Sequence, residues 1–376
     1  MKVLYFIEGT GGGAVTHVLS LAKRLPKKSV QSLVVFFLEG PSVREAKEMG
    51  LETKVLPWRL PLDYTLMWRL REVIHRERID IVHTHTITGN FYARMAALLS
   101  RKPINLVTTV HSWLLDELQG PPWVRLRNYL RFKRELLLSE RVTQYISVSN
   151  SLKEKMCEFG IPEEKTEVIE NGIELPDLST MDAHNRSVRE EFRIRNGETI
   201  VATIGRMVPV KNQDLFLQAA KRVLEKTRHV RFLLVGDGPL LDQLRRRAKD
   251  LAVSDHTVFT GWRGDVHRIL CAVDIFVLCS RVEGLNISVL EAMAHAKPVI
   301  GTNVRGICDI VSDNETGILV PPHNVEVLAD SIVKLVEEGP VARTMGLKAR
   351  QRVENEYSVQ EMVSKVVALY ERLCPE

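Results

Sequence analysis

Short apolar runs alternate with amphipathic stretches along most of the chain. Helical patterns such as 17–25 and 42–50 show apolar residues at helical spacing, and Gly50 stands where a helix C-cap is expected. Between them lie runs that are rich in β-branched residues and too short for helices, which predicts buried strands at 3–7, 32–38, 79–85, 104–110 and 145–149. This alternation predicts a mostly parallel sheet with helices on both faces.

The alternation stops over residues 161–192, which are rich in Pro, Asp, Asn and Ser, and we interpret this stretch as a hinge. Apolar runs then resume at 199–205, 230–238, 256–262, 271–280, 297–303 and 316–322. Because 376 residues exceed one ordinary hydrophobic core, we expect two doubly wound α/β domains of similar size that face each other across a cleft. The predicted domains are residues 1–172 and 173–355.

The composition, with 45% hydrophobic and 26% charged residues, is that of a globular protein, and no apolar run is long enough to cross a bilayer. The chain opens with MKVLYFIEG, which reads as a first strand and not as a signal peptide, so we expect a cytoplasmic protein. The five cysteines are scattered and form no C-x-x-C pair, which argues against disulfides and against a zinc site of cysteines.

The net charge of +5 is uneven, because residues 1–170 carry 25 Lys and Arg against 19 Asp and Glu. Basic and apolar side chains interleave at roughly helical spacing in residues 121–138. A basic amphipathic helix of this kind fits peripheral contact with an anionic membrane. An ordinary helix with a solvated basic face fits the pattern equally well.

The turn GTGGGAVTH, residues 9–17, follows the first predicted strand and opens the first helix. Successive glycines allow close approach of a ligand to the backbone, and the helix N-terminus favours a phosphate. Gly9, Gly11 and Ala14 also match G-x-G-x-x-A, with Glu39 at the end of the second strand. A nicotinamide-dependent oxidoreductase is therefore one alternative, although this fingerprint explains nothing after residue 200.

Two cations and two carboxylates follow predicted strands in the second half. Arg206 comes after the strand 199–205, and Lys211 stands at the start of the next helix, where a guanidinium fork and an ammonium point charge suit a diphosphate. Glu283 lies in a strand-to-helix turn, where open α/β sheets bind ligands. Glu291 fits either a ligand contact or a capping box with Ser288 in the first turn of a helix that begins near that serine.

His111 follows the strand 104–110, which predicts an imidazole at the carboxyl edge of the first sheet. A lone histidine is more often a structural hydrogen-bonding group than a catalytic one, and His83 and His85 on the preceding strand reinforce that reading. We find no H-x-x-x-H helix and no clustered carboxylates, so the sequence predicts no metal site.

Taken in order, these motifs resemble the retaining glycosyltransferases of family 4, which have the GT-B fold of two Rossmann-like domains. The resemblance covers nearly the whole chain. It rests on the Arg206 and Lys211 pair, VGDGP at 235–239, EGLNISVLEAMA from Glu283, KPVIGT, ETGILVPP, the GGG loop, TTVH, ISVSNSLKE and VIENGIE.

The resemblance implies a nucleotide-diphosphate-sugar donor on the C-terminal domain, with UDP preferred over GDP. The implied donor-binding residues follow strands of that domain: Arg206 and Lys211 for the diphosphate, Glu283 for the sugar, Glu291 for the ribose, and the backbone of Gly236, Gly284 and Leu285. In the N-terminal, acceptor-binding domain, Gly12 and Gly13 would approach the donor phosphate and the acceptor. His111 would contact the donor sugar near its anomeric carbon.

The same resemblance implies transfer of a hexose-type sugar with retention by a front-face mechanism, with Arg206 and Lys211 stabilising the leaving phosphate and with no metal or other cofactor. The expected partners are the sugar nucleotide and a glycan or lipid-linked acceptor of polysaccharide, glycolipid or lipopolysaccharide synthesis, not a nucleic acid. The last helix, about residues 356–376, is expected to pack on the N-terminal domain.

Overall fold

A computed structural model describes residues 1–9, 12–59, 63–100, 103–111 and 122–375. The chain divides into two units. Unit 1 comprises Met1–Gly172 and Val359–Glu376, and unit 2 comprises Ile173–Ser358.

Unit 1 is built on a seven-stranded parallel sheet with the strand order β3-β2-β1-β4-β5-β6-β7. Its strands are β1 Lys2–Ile7, β2 Gln31–Phe36, β3 Glu52–Val55, β4 Ile81–Thr84, β5 Asn105–Val110, β6 Gln144–Ser147 and β7 Thr166–Val168. Its helices are α1 Gly13–Arg24, α2 Pro41–Glu48, α3 Tyr64–Arg76, α4 Ile87–Leu98, α5 Pro122–Leu137, α6 Asn150–Glu158 and, from the end of the chain, α14 Val359–Leu373.

The central strand β1 shows why helices cover both faces of this sheet. Successive side chains of a strand point to opposite faces. Val3, Tyr5 and Ile7 pack with residues of α1, α2 and α14, whereas Leu4 and Phe6 pack with residues of α3 and α4. Both faces of β1 are thus buried, as its near-continuous apolar run predicts for a strand in a doubly wound sheet.

Unit 2 repeats this plan with a six-stranded parallel sheet in the order β10-β9-β8-β11-β12-β13. Its strands are β8 Thr199–Ile204, β9 Val230–Val235, β10 Thr257–Gly261, β11 Ile275–Leu278, β12 Val299–Thr302 and β13 Gly317–Val320. Its helices are α7 Met181–Glu191, α8 Gln213–Lys226, α9 Leu241–Asp250, α10 Val266–Ala272, α11 Ile287–Ala294, α12 Val325–Glu337 and α13 Gly339–Glu356. Two parallel α/β sheets were predicted, and the structure confirms them.

The sequence pattern missed the two edge strands of the unit 1 sheet. β3 and β7 lie at its two ends, and their residues are mostly half-buried, so neither shows a continuous apolar run. The stretch 161–192 is also more regular than predicted, because it contains both β7 and the helix α7. The apolar pattern did not predict α7, because this helix is mostly polar and Val188 is its one buried residue.

Helix α14 is fixed to unit 1 by a buried hydrogen-bond network as well as by apolar packing. The hydroxyl of Tyr370 lies 2.5 Å from Nδ1 of His83 and 3.0 Å from the hydroxyl of Tyr5. The other nitrogen of His83, Nε2, is 2.7 Å from the Thr109 hydroxyl. The end of the chain therefore satisfies polar groups in the centre of the first sheet, where an unpaired group is costly.

We expect Tyr370→Phe to lower the free energy of unfolding of unit 1 by about 1–3 kcal/mol, because it leaves two buried polar groups without a partner. Urea denaturation followed by tryptophan fluorescence measures this, since four of the five tryptophans belong to unit 1. Tyr64→Phe is the matched control, because the Tyr64 side chain is 58% exposed and should change stability by less than about 0.5 kcal/mol. Equal effects of the two substitutions would contradict the role of the network.

Candidate functional site

The carboxyl edge of the unit 2 sheet contains a topological switch point between β8 and β11. The chain moves outward from β8 to β9 on one side and from β11 to β12 on the other. Ligands of open α/β sheets bind at such points, outside the carboxyl ends of the strands. Arg206 follows β8 and Glu283 follows β11, so the structure places these two predicted residues after neighbouring strands.

Lys211 and Glu283 form an ion pair at this edge. Nζ of Lys211 donates to Oε1 of Glu283 over 2.5 Å, and the two side chains are 20% and 9% exposed. An ammonium group has three donors and a carboxylate has two acceptor oxygens, so each partner keeps capacity for a ligand. Arg206 is exposed and forms no ion pair with any residue that the structure describes. The edge therefore offers one paired cation, one available cation and one carboxylate.

Glycines set the path of the backbone around Arg206. Gly236 has a φ of +134°, and a Cβ atom there would lie 2.1 Å from the carbonyl oxygen of Gly205. A Cβ atom on Gly238, two residues on, would lie 2.6 Å from the carbonyl oxygen of Met207. The turn after β9 thus packs directly on the residues that flank Arg206, which gives the glycines of the VGDGP motif a structural reason.

A third glycine supports the loop that carries Glu283. Gly306 has a φ of +81°, and a Cβ atom there would lie 2.0 Å from the carbonyl oxygen of Gly284 and 2.7 Å from that of Glu283. Leu285 is buried next to this contact. The importance of Gly306 was not predicted, because the contact joins positions that are 22 residues apart in the sequence.

The helix α11 begins differently from the prediction. Its N-cap is Asn286, whose side chain accepts a hydrogen bond of 3.1 Å from the backbone N–H of Val289. The hydroxyl of Ser288 donates to Asn286 over 2.7 Å and lies 3.1 Å from the carbonyl of Ile204 at the end of β8. Glu291 is therefore beyond the first helical turn, and the capping box of Ser288 with Glu291 was wrong. An asparagine before the run ISVLEAMA is the signal that pointed to the correct cap.

Glu291 is half-buried in α11, and its carboxylate forms no ion pair with any described residue. Burial raises the pKa of Glu291 to about 7. A carboxylate whose pKa is raised by burial, close to a ligand-binding sheet edge, is typical of a functional group.

The glycine loop of unit 1 ends in an open helix N-terminus. Gly12 is the N-cap of α1 with a φ of +103°, and it makes no side-chain cap hydrogen bond. Gly12 and Gly13 are both exposed, and no atom of the described residues lies within 4 Å of a Cβ atom built on Gly12. The first N–H groups of this helix are thus accessible to an anion.

His111 belongs to a group of imidazoles and does not stand alone. Its Nε2 lies 3.1 Å from Nδ1 of His85, and its ring is 5.0 Å from that of His17 in α1. Burial lowers the pKa of His111 and that of His85 well below the ordinary value, so both rings are neutral near pH 7. The sequence did not predict the contribution of His17, because it lies in another element and carries no motif of its own.

Comparison with known proteins now decides the family. The model of "Glycosyltransferase Family 4" matches residues 11–176, and that of "Glycosyl transferases group 1" matches residues 185–352. The N-acetyl-alpha-D-glucosaminyl L-malate synthase of Bacillus anthracis is 30% identical over 311 residues, which cover 82% of this chain and 79% of that protein. The chain belongs to glycosyltransferase family 4.

Two further proteins extend this comparison. The Escherichia coli UDP-Gal:alpha-D-GlcNAc-diphosphoundecaprenol alpha-1,3-galactosyltransferase is 28% identical over 308 residues, which cover 80% of this chain and 77% of that enzyme. The crystal structure of Anabaena Alr3699/HepE in complex with UDP and glucose matches with a TM-score of 0.88, at 20% identity, over 99% of this chain and all of that one. The fold of this glycosyltransferase is therefore GT-B, as predicted.

The nicotinamide alternative does not survive the family assignment. Its fingerprint lies within the segment that matches family 4. Gly11 lies outside the described residues, and a Cβ atom on Gly9 would lie 2.0 Å from the carbonyl oxygen of Leu38, so packing alone accounts for Gly9. Glu39 is exposed.

The basic segment of this glycosyltransferase forms the helix α5. One side of this helix packs against unit 1 and contains both polar and apolar residues. Asn128 and Phe132 are buried, and Arg94 of α4 forms an ion pair of 3.1 Å with Glu135. Large apolar side chains face outward on the other side and are exposed by 45 to 81%: Trp123, Leu126, Tyr129, Leu130 and Leu137. In the described part of the chain, no helix is both long and apolar enough to span a membrane.

We expect Glu291→Gln to stabilise the protein at pH 8 and to have a smaller effect at pH 5. Because the folded state raises the pKa of Glu291 from its ordinary 4.5 to about 7, stability is greatest when this group is protonated and is lost as the pH rises through 7. With allowance for partial exposure, the gain at pH 8 is on the order of 1–2 kcal/mol. Thermal unfolding at both pH values measures it.

The exposed Glu315 provides the control, because Glu315→Gln should shift the melting temperature little at either pH. If Glu291→Gln has the same effect at pH 5 and pH 8, the burial of this carboxylate does not govern its ionisation.

Proposed function

We propose that this chain is a retaining, metal-independent glycosyltransferase that transfers a hexose-type sugar from a nucleotide-diphosphate sugar to a glycan or lipid-linked acceptor. The proposal rests on four charged residues near the switch point between β8 and β11. Arg206 and Glu283 follow these two strands, Lys211 pairs with Glu283, and Glu291 lies in α11. UDP is the preferred nucleotide, which is supported by the UDP in the HepE structure and by the UDP-galactose in the name of the E. coli relative.

The two cations suit the donor diphosphate. The exposed guanidinium of Arg206 can bind two phosphate oxygens in parallel, and Lys211 retains two N–H donors beyond the one used by Glu283. As the bond from the sugar to the phosphate breaks, negative charge grows on the leaving oxygen, and positive groups fixed in place stabilise that charge. They supply the charge that a metal ion supplies in other transferases, so transfer needs no metal.

The two carboxylates suit two sets of hydroxyl groups. Glu291 accepts hydrogen bonds from the ribose diol, and the free oxygen of Glu283 accepts them from the transferred sugar. Glu291 must be ionised for this purpose. Since its pKa is about 7, donor affinity should rise between pH 6 and pH 8.

The chemical step follows a front-face course in this proposal. The acceptor hydroxyl forms its bond to the anomeric carbon on the face from which the phosphate leaves, and the departing phosphate oxygen takes the hydroxyl proton. This route needs no protein nucleophile and retains the anomeric configuration. The neutral imidazole of His111 contacts a sugar hydroxyl, and the open helix terminus at Gly12 and Gly13 contacts the donor phosphate and the acceptor.

A donor-binding screen tests this function. UDP, GDP, ADP, their sugar conjugates and NAD are added to the purified protein, and a ligand of the folded state raises the melting temperature in proportion to RT ln(1 + [L]/Kd). We expect a shift with UDP and its conjugates that Arg206→Ala and Lys211→Gln remove. The same substitutions should lower the rate of sugar transfer by about 10² to 10³.

Arg228→Ala is the matched control, because Arg228 is an exposed cation of unit 2 away from the switch point. A shift with UDP that survives in both site variants would place the diphosphate elsewhere. Inversion of the anomeric configuration in the product, observed by proton NMR, would overturn the front-face mechanism.

We also propose that α5 attaches the enzyme to an anionic membrane, where a lipid-linked acceptor is located. Its outward side combines the exposed apolar residues with Arg125, Arg127 and Lys133, which are also exposed. Cations lie over two of its aromatic rings, with Arg127 at 5.7 Å from the centre of Trp123 and Lys133 at 5.6 Å from that of Tyr129. A helix with exposed aromatic, leucine and basic side chains is suited to the headgroup region of a bilayer.

Vesicle flotation at physiological salt measures this attachment. We expect binding to vesicles of phosphatidylcholine with phosphatidylglycerol and little binding to phosphatidylcholine alone. Replacing Arg125, Arg127 and Lys133 by glutamine should weaken binding roughly a hundredfold, at about 1 kcal/mol for each cation. The triple variant Arg245→Gln/Arg246→Gln/Lys249→Gln in α9 also removes three exposed positive charges and should bind normally. Unchanged binding of the α5 variant would refute the proposal.

A further inference from the structure

Three histidines of unit 1 bring ring nitrogens together at the carboxyl edge of its sheet. His17 comes from α1, His85 from the end of β4 and His111 from the end of β5. One nitrogen atom from each lies within 4.8 Å of the other two. The closest pair, Nδ1 of His85 and Nε2 of His111, is 3.1 Å apart. This spacing is close to that of neighbouring nitrogen ligands on a metal ion with bonds of about 2.0–2.1 Å.

A ring nitrogen of this group has no hydrogen-bond partner among the described residues of unit 1. Nδ1 of His17 is buried and has no hydrogen-bond partner among the described residues, and the side chain is only 3% exposed. Asn171 also interacts with the His17 ring, and this interaction opposes part of the effect of burial on the pKa of His17. An unpaired buried polar atom costs about 1–3 kcal/mol, so a ligand that engages Nδ1 recovers stability.

Asn171 is a polar neighbour of His17 that could serve as a second-shell group. A histidine that binds a metal through one nitrogen commonly hydrogen-bonds a neighbouring group through the other, which fixes the ring orientation. His83 provides a contrast within the same set of rings. Its ring centre lies 4.2 Å from that of His85, with the two rings tilted, but both of its nitrogens already form hydrogen bonds, to Tyr370 and Thr109.

The chemistry of the donors selects the class of ion. The group contains three imidazoles and, among the described residues, no carboxylate or thiol within the same distance. Neutral imidazole is the form of histidine that binds metals, and the burial of His17 and His85 and the partial burial of His111 disfavour the charged form. Neutral imidazoles suit Zn²⁺ and neighbouring transition metals, whereas Mg²⁺ and Ca²⁺ require oxygen ligands.

We propose that His17, His85 and His111 form a binding site for a divalent transition-metal ion of the zinc class. The ring that carries the proton between His85 and His111 shifts to its other tautomer, so both rings stay neutral while Nδ1 of His85 and Nε2 of His111 coordinate the ion, and Nδ1 of His17 is the third ligand. Three protein ligands leave a fourth position for water, as in other three-histidine sites. His111 is also the proposed sugar contact, whereas the donor-binding residues of unit 2 are different side chains. Loss of UDP binding in Arg206→Ala therefore tests the proposed function, and Zn²⁺ binding by the same variant tests this site alone.

Metal binding is measured on the full-length, untagged protein after treatment with a chelator and its removal. We expect calorimetry to show one equivalent of Zn²⁺ per chain, Co²⁺ to give visible absorption bands of a nitrogen-coordinated ion, and Zn²⁺ to raise the melting temperature. Mg²⁺ should do none of these. His17→Gln and His85→Gln should each lower the Zn²⁺ affinity by roughly tenfold or more.

The matched control is His83→Gln, which changes a buried histidine of the same cluster whose nitrogens are not available, and it should bind Zn²⁺ as the wild type does. His75→Gln controls for an exposed histidine. Circular dichroism of each variant separates loss of a ligand from loss of the fold, and two different ligand variants guard against one that does not fold. Absence of Zn²⁺ binding by the wild type, or binding that neither His17→Gln nor His85→Gln weakens, would overturn the proposal.

Discussion

The candidate donor site depends on close backbone packing at the ends of two neighbouring parallel strands. Gly236 lies against the carbonyl of Gly205, and Gly306 lies against that of Gly284. Neither contact leaves room for a Cβ atom, so main-chain packing fixes the loops that carry Arg206 and Glu283, and the side chain of Gln213 adds a hydrogen bond to the carbonyl of Arg206. The position of the charged groups follows from this constraint, and the ion pair of Lys211 with Glu283 is its result. A site built in this way is organised before a ligand arrives, which reduces the entropy cost of binding.

Much of this architecture was predictable, and the failures have a common physical origin. Apolar runs identified the central strands because both of their faces are buried, whereas the edge strands β3 and β7 are half-exposed and gave no such signal. The site residues Arg206 and Glu283 were recognisable because their types and spacing match a known family. Gly306 and His17 were not, because their importance arises from contacts with distant segments. Asn286 was recognisable from the sequence as an N-cap residue, but Ser288, two residues later, is also a common N-cap residue and was chosen for the prediction.

The two units use the same topology for different chemistry. In both, the order of strands reverses between the first and fourth strand of the unit, and polar groups collect at the carboxyl edge near that reversal. In unit 2 those groups are charged, exposed or half-buried, and suited to a polyanion and to hydroxyl groups. In unit 1 they are neutral imidazoles, buried deeply enough that their pKa values fall below the ordinary range. Burial thus separates a charged site from an uncharged one on equivalent scaffolds.

Helix α14 has a consequence for the order in which the molecule can form. Its residues are synthesised after those of unit 2, yet Tyr370 shares hydrogen bonds with Tyr5 and His83, which are synthesised before unit 2. On the ribosome, the first sheet must wait with an open apolar surface and unpaired polar groups while all of unit 2 is made. Unit 2, which is continuous in sequence, meets no such delay. The second half of this chain can therefore complete its core before the first half does, in the reverse of the order of translation.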